Sequence, residues 1–159
     1  MTDYYKDQLE EAMLYQDFVI DQLRKADPCI IIPVYSSRRS QYEKGESACG
    51  IEIKHDKKYE NGSPNLYIEI AEKTDSTISE YSPSGIFRND NTWLYLIGSY
   101  ESAFLFSKHQ LQAIYASQEN WKRRGIFAVE TPTSKGFCYP VQSAMRNGTI
   151  LKQFNFKGK

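Results

Sequence analysis

The sequence has no excess charge of either sign. Twenty lysines and arginines are balanced by twenty aspartates and glutamates over 159 residues. That excludes the global positive field by which many nucleic-acid binders attract a phosphate backbone. Any such contact depends on local clusters, and Arg38-Arg39 and Lys122-Arg123-Arg124 are the candidates. Cysteine and histidine are scarce. Cys29, Cys49 and Cys138 form no CxxC, and His55 and His109 stand alone, so neither a zinc site nor a disulfide framework is indicated. The thiols lie in apolar or strand-like surroundings and are expected to be buried, in a protein of the reducing cytoplasm. No apolar run has membrane length, and no signal peptide is read.

Apolar residues nevertheless make up 40% of the chain, enough to build a core in one domain over residues 1–159. The stretch that organises it is Gly50-Ile51-Glu52-Ile53-Lys54-His55-Asp56, a polar linker, then Leu66-Tyr67-Ile68-Glu69-Ile70-Ala71-Glu72-Lys73. Both segments alternate apolar and polar residues, the period of a half-buried β-strand. The linker 57–65 holds Asn61-Gly62 and Pro64, so an antiparallel hairpin is the expected connection. With the isoleucines on the core, the acids and lysines share the opposite face. Gathered carboxylates repel unless a cation gathers them. A hard divalent ion needs only one or two carboxylates and leaves room for water and phosphate, and a nearby lysine can hold the phosphate or orient the attacking water. The same alternation also suits a solvated amphipathic hairpin with cross-strand Glu–Lys pairs.

An acid on one strand and an acid two residues before a basic position on the next resemble the PD-(D/E)xK nuclease superfamily, which includes many restriction endonucleases. Glu52 falls at the first acid and Glu69 at the acid of the ExK string. The resemblance implies an α+β fold with a restriction-endonuclease-like core, a mixed central sheet flanked by helices. It also implies Mg²⁺ or Mn²⁺ at Glu52 and Glu69, with Asp56 or Glu46 assisting. The ExK lysine position is Ala71, so the basic role passes to Lys73 or to Lys54. Glu52-Ile53-Lys54 is itself an ExK string, and in that register Glu46 is the natural first acid.

Along the chain, residues 5–25 read as an amphipathic helix with Leu9, Ala12, Met13, Gln16, Val19, Ile20 and Leu23 on one stripe. Gln16 interrupts the stripe. Either it bonds backbone at the stripe's edge, or it serves the site, as the first helix of the resembled superfamily often does. Residues 29–35 form an apolar run of strand length, with Pro33 marking an edge or bulge. The loop 36–47 carries Arg38 and Arg39, suited to phosphate contact or simply solvated. Residues 74–91 form a long connection with a helical turn near Ser84. A second hairpin joins 93–97 to 103–106, and Ser107 caps a helix to about Ser117. After a strand at 126–129, the segment 130–137 reads as a turn in which Thr133, Ser134 and Lys135 could grip a DNA backbone. A short helix at 140–147 and a strand at 149–156 complete the order.

Two functions fit. The first is a metal-dependent endonuclease or exonuclease-like phosphodiesterase acting on DNA. Glu52, Glu69, Lys73 and Lys54 would serve catalysis. Lys135, Ser134, Thr133, Gln16, Arg38 and Arg39 would hold substrate, and a homodimer would cut both strands. The second is a catalytically inactive DNA- or protein-binding module of a restriction or anti-restriction system, using exposed aromatics such as Trp121.

Overall fold

The computed structural model describes the backbone of residues 3–156 and the side chains of residues 9–37, 39–41 and 43–156. The long helix α1 spans Asp3–Ala26, and its buried stripe is Tyr15, Gln16, Val19, Ile20 and Leu23. Met13, expected on that stripe, is exposed. A helix of this length runs about 36 Å. The apolar run 29–35 does not become a full strand. It makes one isolated bridge, Val34 with Ser47, and Ile31 is 72% exposed while Ile32 is buried. Pro33 has no N–H to give, and the run packs one face only. Within the expected loop 36–47, Ser37 accepts from Ser40 N and starts a short helix, α2 (Arg38–Lys44).

Strands β1 (Ile51–His55) and β2 (Asn65–Glu72) form where the alternation places them. They do not pair with each other, so the expected hairpin is overturned. The linker between them coils into a one-turn helix, α3 (Lys57–Glu60), capped by Asp56. β1 pairs in parallel with β4 (Leu94–Gly98), and β2 pairs antiparallel with β7 (Ser134–Pro140). The result is two four-stranded sheets. One is mixed, in the order β1-β4-β5-β8, with β5 at Ser102–Ser107 and β8 at Lys152–Asn155. The other is antiparallel, in the order β3-β2-β7-β6, with β3 at Ser82–Pro83 and β6 at Phe127–Glu130. Residues 134–140, read from sequence largely as the end of a turn, are thus a central strand.

The hairpin β4–β5, the Ser107-capped helix α4 (Lys108–Ala116) and the helix α6 (Val141–Arg146) stand where the sequence puts them. So does the turn after Ser84, a 3-10 helix at Gly85–Phe87. The two sheets share a core. Tyr95, Ile97, Phe104 and Phe106 from the mixed sheet meet Leu66, Ile68, Phe137 and Tyr139 from the antiparallel sheet, closed by Leu111, Ile114 and Ala144 of the helices. The outer face of the mixed sheet, with Ile53, Leu96 and Ala103, packs on the α1 stripe. The class is α+β, in three layers: helix, mixed sheet, antiparallel sheet.

This layering decides where the charges of β1 go. Ile53 faces α1, so Glu52 and Lys54 turn inward toward the second sheet, on the side of their register partners Tyr95 and Ile97. They are not on a solvent face.

Two expectations about single side chains also change. Cys29 is exposed, and Cys49 and Cys138 are half-buried, so none is a buried thiol. Trp121, in the short helix α5 (Trp121–Arg124), donates its indole N–H to Ile114 O, and its ring lies tilted against Phe137 with centroids 5.3 Å apart. It is a core anchor rather than an interface aromatic.

Candidate functional site

Glu52 is 2% exposed, a burial that carboxylates tolerate only when paired. Its partner is Lys54, two residues along the same strand face, with Nζ 2.7 Å from Glu52 Oε1. Lys54 is the hub of the site. Glu52 first, then Glu46 and Glu69, raise its pKa against the opposing effect of burial, so the ammonium stays charged. Three carboxylates from three separate parts of the chain thus surround one cation. The second oxygen, Glu52 Oε2, is buried with no hydrogen-bond partner among the described residues.

Glu46 lies in the segment before β1 and caps its open edge. Its Oε2 accepts from Ile53 N at 2.6 Å, and the buried Gln16 of α1 hydrogen-bonds the same carboxylate. Burial pushes the Glu46 pKa up to about 7. Lys54 opposes the shift, Glu52 adds to it by like-charge repulsion, and the two hydrogen bonds oppose it. Gln16 therefore faces the Glu46 carboxylate.

Glu69 reaches the same region from β2. Ser84 Oγ donates to its Oε1 at 2.8 Å and Ser134 Oγ to its Oε2 at 2.9 Å, while Tyr67 Oη lies 2.6 Å from Ser134 Oγ. Burial pushes the Tyr67 phenol up to about 12. The close approach of the Ser84 turn requires glycine at position 85: its φ is +51°, and a Cβ there would stand 2.2 Å from Glu69 O. Ser134 thus orients Glu69 instead of facing outward to a phosphate.

Two further groups face Glu52 that the sequence did not single out. Tyr95 is its register partner on β4. Burial first, and then the Glu52 charge, push its phenol far above the ordinary range, and its hydroxyl closes no well-formed hydrogen bond among the described residues. Arg88 follows the Gly85–Phe87 turn. Burial opposes its charge, but Glu52, Glu72 and Asp90 outweigh that and hold it protonated. Its Nη2 lies 3.4 Å from Glu72 Oε1 and 3.3 Å from Ser84 Oγ. A buried strand tyrosine reads as ordinary core, and Arg88 sits in a long polar connection. Neither has a sequence signal.

A cavity of ≈ 360 Å³ opens between the sheets, with Lys54, Glu69, Tyr67, Tyr95, Ile97 and Thr131 among its walls. Its size is within the range of small-ligand sites. Glu46 and Glu52 are not among the lining residues.

The remaining sequence candidates are placed elsewhere. Asp56 is buried and both its oxygens are taken: Oδ1 by Tyr59 N at 3.0 Å, capping α3, and Oδ2 by Tyr67 N at 2.7 Å. It ties β1 to β2 as a structural carboxylate, although it also borders the cavity. Lys73 puts its ammonium 4.1 Å from the centre of the Tyr81 ring. Lys135 lies 4.3 Å from the same ring and 3.3 Å from Glu130. Thr133 is exposed, and its carbonyl accepts from Lys73 N. Arg39 is 86% exposed and paired with Glu43 along α2, far from a buried role. The Arg38 side chain lies outside the described residues.

No group of three His, Cys, Asp or Glu side chains is arranged to hold a metal among the described residues. A hard cation needs fewer. Mg²⁺ commonly binds one or two protein carboxylates and keeps several waters. The unpartnered Glu52 Oε2 and the mutual repulsion of Glu46 and Glu52 fit that demand, since a cation between them would relieve both. The group that fits is Glu52 with Glu46, and Glu69 stands across Lys54. Among the described residues no helix is long and apolar enough to cross a membrane. Comparison with protein-family models, with curated proteins and with solved structures finds no significant match to this chain.

Proposed function

We propose that this chain is a divalent-metal-dependent phosphodiesterase acting on DNA, with Glu46, Glu52 and Lys54 as its working groups and Glu69 supporting them. The observation that carries the reading is the Lys54 ammonium, held by Glu52 and ringed by Glu46 and Glu69 at the wall of a cavity between two sheets. It favours the register in which Glu52-Ile53-Lys54 is the ExK string and Glu46 the first acid of a PD-(D/E)xK-like site. Ala71 is then no defect, because β2 contributes Glu69 alone.

In this reading Glu52 and Glu46 would hold Mg²⁺ or Mn²⁺, which would supply an acidified water and neutralise charge on the phosphoryl oxygens. Lys54, part-exposed at the cavity, binds a non-bridging phosphate oxygen or holds the attacking water. Tyr95, kept protonated by burial and by Glu52, has an O–H to donate. Gln16 and the Ile53 N–H fix the Glu46 carboxylate, and Ser84 and Ser134 fix Glu69. Three free thiols suit a cytoplasmic setting, and cutting both strands of a duplex calls for two copies.

A second reading is an inactive nuclease-like binding module. It is favoured by the lack of a three-ligand group among the described residues and by the burial of Glu52. One experiment separates the two. Purified protein is incubated with plasmid, linear, single-stranded and branched DNA in Mg²⁺ or Mn²⁺, beside Glu52→Gln and Lys54→Gln. Cleavage lost with EDTA and in both variants is the expected result. No cleavage of any substrate with either metal would overturn the catalytic reading in favour of the binding module.

A further inference from the structure

Lys73 ends the β2 region and Lys135 begins β7. Their ammonium groups lie 4.1 and 4.3 Å from the centre of one ring, that of Tyr81. Two like charges so placed repel each other. The negative face of the ring offsets part of that repulsion, and an anion bound between them would offset the rest. The arrangement is fixed by backbone. Lys73 N donates to Thr133 O at 2.7 Å, and the Tyr81 hydroxyl donates to Thr131 O at 2.6 Å. The acid beside them, Glu130, is 62% exposed; it pairs with Lys135 at 3.3 Å and also reaches the Tyr81 hydroxyl, surface contacts that a stronger anion can displace.

The position matters as much as the charge. Thr131, which anchors the Tyr81 hydroxyl, also lines the cavity that holds Lys54 and Glu69. The lysine pair therefore sits at the rim of the candidate site. Because cations already occupy the ring, the rim presents charge outward and no free aromatic platform for a base.

We propose that Lys73 and Lys135, held over Tyr81, dock the phosphate backbone of nucleic acid at the cavity rim without reading its bases. Phosphate contacts of this kind position a strand and carry no sequence information. The proposal rests on the phosphodiesterase reading for its choice of polyanion, but not for the existence of the anion site. It also gives Lys73 a place: binding at the rim, not water activation at Glu69.

The test is fluorescence anisotropy with a short fluorescein-labelled duplex and the matching single strand, in EDTA, from about 50 to about 200 mM salt. Lys73→Gln with Lys135→Gln should weaken binding by about 10-fold at low salt and flatten the log–log salt slope by about 2. Tyr81→Leu, which frees both ammonium groups, should weaken binding with less change of slope. Arg24→Gln with Lys25→Gln, exposed in the last turn of α1, should leave affinity and slope as they were. An unchanged slope in the Lys73/Lys135 variant, an equal loss in the α1 control, or displacement of the duplex by polyglutamate at matched charge would each overturn the proposal. Circular dichroism of each variant establishes that it is folded. Docking with no cleavage by any metal would leave this site standing and remove the phosphodiesterase. Cleavage with unaltered KM in the Lys73/Lys135 variant would do the reverse.

Discussion

Lys54 Nζ lies 2.7 Å from Glu52 Oε1, and the two side chains share one face of β1, the face turned into the molecule. The pair joins a Glu52 side chain that is 2% exposed to a Lys54 side chain that is 42% exposed. Removing the lysine alone would strand the buried Glu52 charge, whereas removing both leaves no charge of the pair on β1. Lys54→Met is therefore expected to cost about 2 kcal/mol, below the full range for a wholly buried pair because the lysine is part-exposed. Glu52→Gln combined with Lys54→Met should recover most of that loss. Urea unfolding of the three proteins at one pH measures it, and equal losses in the single and double variants would mean the pair is not coupled.

Glu46 makes stability depend on pH in an unusual direction for a carboxylate. Its pKa rises from an ordinary 4.5 to about 7 on folding, so between those values the folded chain binds the extra proton. Stability then falls as pH rises from about 4.5 through about 7. In EDTA, wild type should lose stability between pH 5 and pH 8 relative to Glu46→Gln, by roughly 1–3 kcal/mol. Parallel curves for the two proteins would show that Glu46 ionises freely.

Asp56 is expected to behave as a structural residue. Asp56→Ala removes the α3 cap and the bond to Tyr67 N, and should cost about 2–3 kcal/mol. Mn²⁺ affinity by calorimetry, at a temperature where the variant is folded, should be unchanged. A tenfold loss of affinity would return Asp56 to the ligand set.

Gly85 holds the Ser84 turn against Glu69. Gly85→Ala meets both a positive φ and the Glu69 carbonyl, so a loss of about 2–3 kcal/mol is expected. Ser84→Ala, which keeps the turn but removes the bond to Glu69 Oε1, should cost only about 1 kcal/mol. Thermal unfolding of both variants checks the ranking, and equal losses would contradict it.

Much of the chain was legible as local pattern. The period of α1, the alternation in β1 and β2, the β4–β5 hairpin and the Ser107 cap each express a preference of neighbouring residues. The apolar run 29–35 misled because hydrophobicity does not reveal that Pro33 and a one-sided contact leave only a single bridge. The segment 130–137 misled because its hydroxyls and glycine match a turn. Gly136 instead lies in a strand where a Cβ would come within 2.3 Å of Ile68 O. At the site, Glu52, Lys54 and Glu69 were readable as acids and a base in strand register, and Glu46 as an acid in the segment before β1. Arg88 and Tyr95 were not, since nothing in their neighbours points toward Glu52.

By itself, the sequence determined which residues share a face, because side-chain direction in a strand depends only on parity along the chain. It could not determine which strands are neighbours. Parity is equally satisfied by β1 beside β2 or by β1 beside β4, and the choice lies in burial summed over the whole core. Only the tertiary structure turned the Ile53 face to α1 and the Glu52–Lys54 face inward, with β2 in the opposing sheet. That choice converts an apparently solvated row of charges into a buried pair with Glu46 and Glu69 around it, because once helix α1 covers one face of a sheet, its other face has only the second sheet to meet.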